Sequence, residues 1–243
     1  MKRAYVPYDV ARPYIETGDM LAYRASWLNP FSWAIATAGR SDICHIAAAG
    51  WLRNGQYGKF VPKLHLWVAE KVLAGGRLSL LSGQVDRWPR RIDVYRPASS
   101  AWIVRGPAGE MGNPSDDGWE LARPDRRVYC SGSMIFDYVR SKADLTYNWQ
   151  GVLAAAPNYL IGLRWFFRPS QDDEAEGRET EFCSECYAAA ARQGFCDLVH
   201  NLADDQVLPG DLVRSPLMFY QFTLDRPTGS RNPPPLVEYL EAA

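Results

Sequence analysis

The sequence predicts an α+β fold in which an antiparallel sheet packs against helices. Short apolar runs bounded by Gly, Asn and Pro crowd the first hundred residues, and helix-forming stretches follow after residue 130. The chain has 243 residues, 47% hydrophobic and 13% aromatic, enough to bury the core of one large domain. A net charge of −1 leaves no basic surplus to drive binding to nucleic acid or an anionic membrane. No apolar run reaches the ~18 residues of a spanning helix, and the basic start Met1-Lys2-Arg3 lacks the apolar stretch of a signal peptide. The expected location is therefore cytoplasmic or virion-associated. The five cysteines are odd in number and scattered, a poor disulfide framework, and read as reduced thiols.

Taken in order, residues 1–16 read as an extended arm broken by Pro7 and Pro13. Thr17-Gly18-Asp19 makes a turn into a short strand ending near Arg24. Asp42 to Trp51 and Val61 to Glu70 form a hairpin around the Gly- and Asn-rich stretch Arg53 to Lys59. Arg77 to Ser82 and Ile92 to Tyr95 add two strands, and Arg96-Pro97 closes that sheet region. Pro107 to Asp125, rich in Gly, Pro and Asp, is an insertion. Helices are expected over Ser131 to Lys142, over Trp149 to Tyr159, and from Cys183 to about Arg192, where Gly194 ends it. Ser170 to Glu179 is a charged loop. Leu208 to Val213 repeats the turn-strand character of Gly18-Asp19, and the domain of residues 17–216 is followed by an extended tail, 217–243, carrying Pro233-Pro234-Pro235.

The most informative residue is Cys183. It stands in Glu181-Phe182-Cys183-Ser184-Glu185-Cys186, directly before the helix former Tyr187-Ala188-Ala189-Ala190-Ala191-Arg192. A thiol at a helix start meets unpaired N–H groups and the positive dipole end, which favour the nucleophilic thiolate. The plainer alternative is a cysteine packed in the first turn. A cysteine nucleophile needs a base and a group to orient it, and the chain has three histidines, His45, His65 and His200. A hairpin turn near Gln56 to Gly58 makes facing residue numbers sum to roughly 113–115, so His45 faces Val68 to Glu70 while His65 lies roughly 16 Å further along the strand. Glu70 is the better partner for His45. Its alternative is a solvated charge at a strand end.

These residues, in this order, resemble a known family. A Gly18-Asp19 strand, a histidine strand, Val68-Ala69-Glu70, the strand Asp93-Val94-Tyr95-Arg96-Pro97, a late Phe182-Cys183-Ser184-Glu185 at a helix start and Pro209-Gly210-Asp211-Leu212 look like the circularly permuted NlpC/P60 papain-like cysteine hydrolases, the YiiX/YaeF-like group. The resemblance covers residues 17–97 and 130–214. One departure is Cys44-His45-Ile46-Ala47, where family members carry Ser-His-Val/Ile-Gly. The resemblance implies a permuted papain-like fold without a cofactor, hydrolysing an amide, thioester or ester in a peptide, peptidoglycan or acyl substrate. Cys183 would attack the carbonyl, His45 would move the proton, Glu70 would hold His45, and the Cys183 N–H would serve the oxyanion. Tyr23 and Ser184 are further candidates for oxyanion or support roles, with packing the alternative for Tyr23.

Other readings compete. Cys183-x2-Cys186, Cys196 and His200 have spacing tolerable for structural zinc, although Phe195, Leu198 and Val199 suggest a second apolar helix there. Cys-Ser-Glu-Cys opening a helix suggests redox chemistry, but no supporting proline follows. A catalytically inactive papain-like binding module, for example in a phage tail, is a third. Cys130-Ser131-Gly132 resembles the Cys183 motif without its glutamate and reads as structural, its glycine disfavouring an early helix. The nine tryptophans are scattered, as packing residues would be rather than a glycan cleft.

Overall fold

A seven-stranded sheet in the order β1-β11-β6-β2-β3-β4-β5 organises the chain, antiparallel throughout except for the β1/β11 pair. The computed structural model describes residues 3–26, 28–54, 63–72, 75–88, 91–98, 104–105, 120–121, 130–142, 146–147, 180–194, 196–199, 202, 204–230 and 233–242. The sheet strands are β1 (Tyr5–Pro7), β2 (Met20–Arg24), β3 (Ile43–Asn54), β4 (Lys63–Val72), β5 (Gly75–Leu80), β6 (Ile92–Pro97) and β11 (Met218–Asp225). Between β6 and β11 lie four two-residue strands, β7 (Val104–Arg105), β8 (Glu120–Leu121), β9 (Thr146–Tyr147) and β10 (Thr180–Glu181). Seven α-helices occur among the described residues: α1 (Tyr8–Ala11), α2 (Pro30–Ala38), α3 (Leu81–Arg87), α4 (Gly132–Ser141), α5 (Cys183–Gln193), α6 (Pro209–Arg214) and α7 (Leu236–Glu241). The architecture is mixed α+β.

Three of the helix starts have a clear local cause. Asn29 caps α2, its Oδ1 accepting from the Phe31 and Ser32 amides at 3.1 and 3.2 Å, with Pro30 at the first position. Ser131 caps α4. On α6 the Asp211 carboxylate accepts the Leu208 amide at 3.0 Å, again behind a proline. Helices α4, α5 and α6 cover one face of the sheet, packing Phe136, Tyr187 and Leu212 onto Met20, Ala22, Ile46, Ala48 and Ala69. On the other face Val6, Ile15, Leu81 and Val85 pack against Leu21, Ala47, Val68, Ile92 and Leu224. A sheet buried on both faces loses its apolar/polar alternation, and β2 is buried at four of its five residues.

The turn into β2 is pinned to α4. Gly18 has φ +93°, and a Cβ there would sit 2.3 Å from the Cα of Gly132. The Tyr187 hydroxyl donates to the Gly18 carbonyl at 2.7 Å, and Arg96 forks onto the buried Asp19 carboxylate at 2.8 and 2.9 Å. Gly18→Ala should therefore cost about 2 kcal/mol from backbone strain and overpacking. A urea midpoint unchanged from wild type would refute this.

Several expectations are corrected. Residues 1–16 are not an extended arm throughout: Tyr5–Pro7 pairs with β11, Tyr8–Ala11 is helical, and Val6, Ala11 and Ile15 are buried. The stretch 217–243 does not simply follow the domain as a tail, since β11 (Met218–Asp225) lies between β1 and β6 in the sheet and buries Phe222 and Leu224. Leu208 to Val213 is helical rather than strand-like because Pro209 and Asp211 supply a helix start. Leu81 and Ser82 open α3 instead of extending β5. Gly132 does open a helix, since its lack of a side chain admits the Thr17 carbonyl. Residues 196–199 form no second apolar helix. The hairpin turn, the helix over Trp149 to Tyr159, the loop Ser170 to Glu179, most of the Pro107 to Asp125 insertion, Phe195 and His200 lie outside the described residues.

Candidate active site

The site forms where β3 begins and β4 ends. The β3/β4 pairing sets Ala47 opposite Glu70, so facing numbers sum to 117, above the expected 113–115. His45 and Glu70 are thus diagonal neighbours on one face rather than direct partners, and diagonal pairs are within reach of long side chains. His45 Nε2 and Glu70 Oε2 are 2.7 Å apart. His65 pairs with Leu52, seven residues along β3 from His45 and on the opposite face.

A bulge aims the histidine. Tyr23 pairs with His45 and Arg24 with Ile43, so Cys44 is an extra residue on β3. The bulge lets Ile43 and Ile46, three apart, share one apolar cluster, while Cys44 turns into another with Phe182, Ile35 and Ala36. Phe182 is the residue before α5. Cys44 therefore ties the histidine strand to the start of the cysteine helix.

At that start the Phe182 amide donates to the Glu185 carboxylate at 3.2 Å, the returning half of a capping box. Cys183 is the first helical residue, and its amide belongs to the turn whose N–H groups lack intrahelical acceptors. Its thiol is 4% exposed by residue and lies in hydrogen-bond reach of His45. With Nε2 on Glu70, Nδ1 is the ring nitrogen left for the sulfur. The structure thus brings together all three residues named from sequence, in the series sulfur, imidazole, carboxylate.

The carboxylate is held on its far side. Glu70 Oε1 accepts from Arg77 Nε and Nη2 at 2.8 and 2.6 Å and from Gln84 Nε2 at 2.8 Å. Arg77 and Gln84 were not named from sequence. The Gly75-Gly76 pair, a break signal in the sequence just before Arg77, could have found it, because the β4/β5 hairpin sets Arg77 directly across from Glu70. Burial pushes the Glu70 carboxyl up, but the His45 hydrogen bond and charge and the Arg77 guanidinium outweigh it and hold it below its ordinary 4.5. Burial would push the His45 imidazole down; the Cys183 sulfur and Glu70 outweigh it and raise it from 6.5 to about 10. Cys44, pushed up to about 12 by burial and by the neighbouring Cys183, stays a thiol and donates to the Tyr23 carbonyl at 3.5 Å.

These shifts predict a pH dependence of stability. A group raised from 6.5 to about 10 on folding holds its proton more tightly in the folded chain, so its contribution is complete below 6.5 and lost as pH rises towards 10. Glu70, lowered, contributes above its ordinary 4.5 and loses that contribution in acid. Because the proton that His45 keeps is the one Cys183 gives up, the folded and unfolded chains bind equal numbers of protons at this pair until an unfolded thiol ionises near 8.5, so stability should decline from about pH 8.5 to 10, and His45→Gln should flatten that decline. Parallel wild-type and variant curves over that window would refute the assignment.

Both supporting candidates, Tyr23 and Ser184, are buried. Tyr23 is fully buried, its ring 5.2 Å from that of His45 and edge-on to Trp88 at 5.0 Å, and its hydroxyl has no hydrogen-bond partner among the described residues. That geometry backs the imidazole rather than reaching a substrate. The Ser184 hydroxyl is likewise buried without a partner. Cys186 packs in the core, and Cys196 contacts Cys130. Among the described residues no three His, Cys, Asp or Glu side chains are grouped to hold a metal ion. No helix among them is long and apolar enough to cross a membrane. No family model matches the chain, and no curated protein does.

Proposed function

We propose that the protein is a cysteine hydrolase of the permuted papain-like kind, acting on an amide or ester carbonyl, with a peptidoglycan-type amide the first substrate class to test. The observation that carries the reading is His45 lying between the Glu70 carboxylate and the Cys183 sulfur at the start of α5.

The chemistry follows from those positions. The Cys183 thiol proton passes to His45 Nδ1, and the imidazolium is stabilised through Nε2 by Glu70. The thiolate attacks the carbonyl carbon, and the tetrahedral oxyanion takes the Cys183 amide as one donor. His45 returns its proton to the leaving amine or alcohol as the C–N or C–O bond breaks, leaving a thioester on Cys183. His45 then takes a proton from water, the hydroxide attacks the thioester, and the carboxylic acid departs as the thiol re-forms. Arg77 and Gln84 keep Glu70 ionised and fixed.

A screen of muropeptides and acyl esters, run on wild type beside Cys183→Ala, tests the reading. Turnover confined to the wild type is the expected result. Equal background in both proteins on every substrate would leave the inactive binding module as the better account.

A further inference from the structure

A row of cross-strand pairs runs from the site across the sheet. His45 on β3 pairs with Tyr23 on β2, Tyr23 with Ile92 on β6, and Ile92 with Leu224 on β11. Tyr23, Ile92 and Leu224 lie in one apolar cluster on the face that His45 shares. At the far end of this row is a pocket of about 440 Å³ whose floor is Ile92 and Leu224. Neighbouring strands are ~4.8 Å apart, which puts Ile92 roughly 10 Å and Leu224 roughly 14 Å from His45. Trp88 is the wall between them, lining the pocket while its ring stands edge-on to Tyr23.

The remaining described lining is the apolar Val85 and three charged residues, Arg91, Asp225 and Arg226. Arg91 pairs with Asp225 and lies over the Tyr5 ring, its carbon 5.5 Å from the centroid. Asp225 also accepts the Arg226 amide at 2.7 Å. The lone carboxylate is thus satisfied, and the exposed Arg226 guanidinium has no partner among the described residues. Among the described lining residues, two guanidinium groups stand against one carboxylate, an excess positive charge beside an aromatic wall and a fit for an anionic oxygen cluster.

We infer that this pocket is the subsite for an anionic group of the substrate, a carboxylate or phosphate carried about 10–14 Å from the scissile carbonyl. At ~3.3 Å per residue that spacing is three to four extended residues, or an acyl chain of like length. The inference deepens the cysteine hydrolase reading and rests on it for the word substrate, but the pocket's ligand preference does not depend on the thiol reacting.

Three iodoacetyl reagents of matched length test it: an iodoacetyl-trialanine ending in carboxylate, the same ending in carboxamide, and an iodoacetamidohexyl phosphate. Each loses iodide to the Cys183 thiolate. The rate of Cys183 alkylation by each anionic reagent, divided by that for the carboxamide, should be at least about tenfold in wild type for one of them, falling towards one in Arg226→Ala and in high salt. Preference for the carboxylate marks a peptide-like substrate, and preference for the phosphate a phosphate-bearing one. A ratio near one for both anions overturns the inference. Calorimetry on Cys183→Ala separates the two claims. Acetyl-trialanine or hexyl phosphate binding there, and lost on Arg226→Ala, upholds the pocket even if Cys183 proves unreactive. Failure of both to bind removes the pocket even if Cys183 reacts.

Discussion

Glu70→Gln should lower turnover by about a thousandfold or more while leaving the fold intact. Glu70 is an acceptor surrounded by donors: His45 on Oε2, and Arg77 and Gln84 on Oε1. Glutamine keeps the size but brings an NH₂ group that must meet one of them. Turned towards Arg77 and Gln84, it opposes donor to donor. Turned towards His45, it makes Nε2 the acceptor and forces the ring proton onto Nδ1, the nitrogen that must receive the Cys183 proton. Glu70→Ala adds a folding cost of about 2 kcal/mol, below the usual figure for a broken buried pair because Arg77 is half-exposed and turns to water. Turnover rates and urea midpoints of the two variants separate the effects. A Gln variant within tenfold of wild type would contradict the role given to Glu70.

His45→Ala should change how Cys183 reactivity depends on pH. An unassisted thiol ionises near 8.5, so its thiolate fraction falls tenfold with each unit below that. Alkylation of Cys183 in the variant should therefore drop about 100-fold between pH 7 and pH 5. In the wild type the imidazolium, with its pKa raised to about 10, stays charged across that range and holds the thiolate, so the rate should be nearly flat. Two parallel falling curves would mean that His45 does not activate the sulfur.

The site was more legible in the sequence than the frame around it. Cys183 announced itself by Phe182 and Glu185 at a helix start, and that cap is present. The hairpin turn lies outside the described residues, and a sum of 117 in place of 113–115 moved every direct partner of His45. Glu70 survived the shift because an error of two keeps a side chain on its face. Arg77 and Gln84 were missed since β5 and α3 meet Glu70 only after a second hairpin and a turn into a helix. The arm and tail were misread because prolines interrupt the arm and flank the apolar run of β11, while their value lies in β1 pairing with a strand over 200 residues away. Helix α2 was overlooked although Asn29-Pro30 is a cap followed by a first-turn proline. The bulge at Cys44 leaves no mark in composition, yet it directs His45.

The most direct measurement sets the five free cysteines against one another in one tube. Less than one equivalent of iodoacetamide at pH 5, followed by peptide mass mapping, reads which sulfur is ionised. Cys130 is the competitor, more exposed than the others and with its thiol pKa lowered by its contact with Cys196. The account predicts that the label falls on Cys183, 4% exposed as it is, and leaves that position when His45 is replaced. Label spread over all five, or concentrated on Cys130 in both proteins, would contradict it.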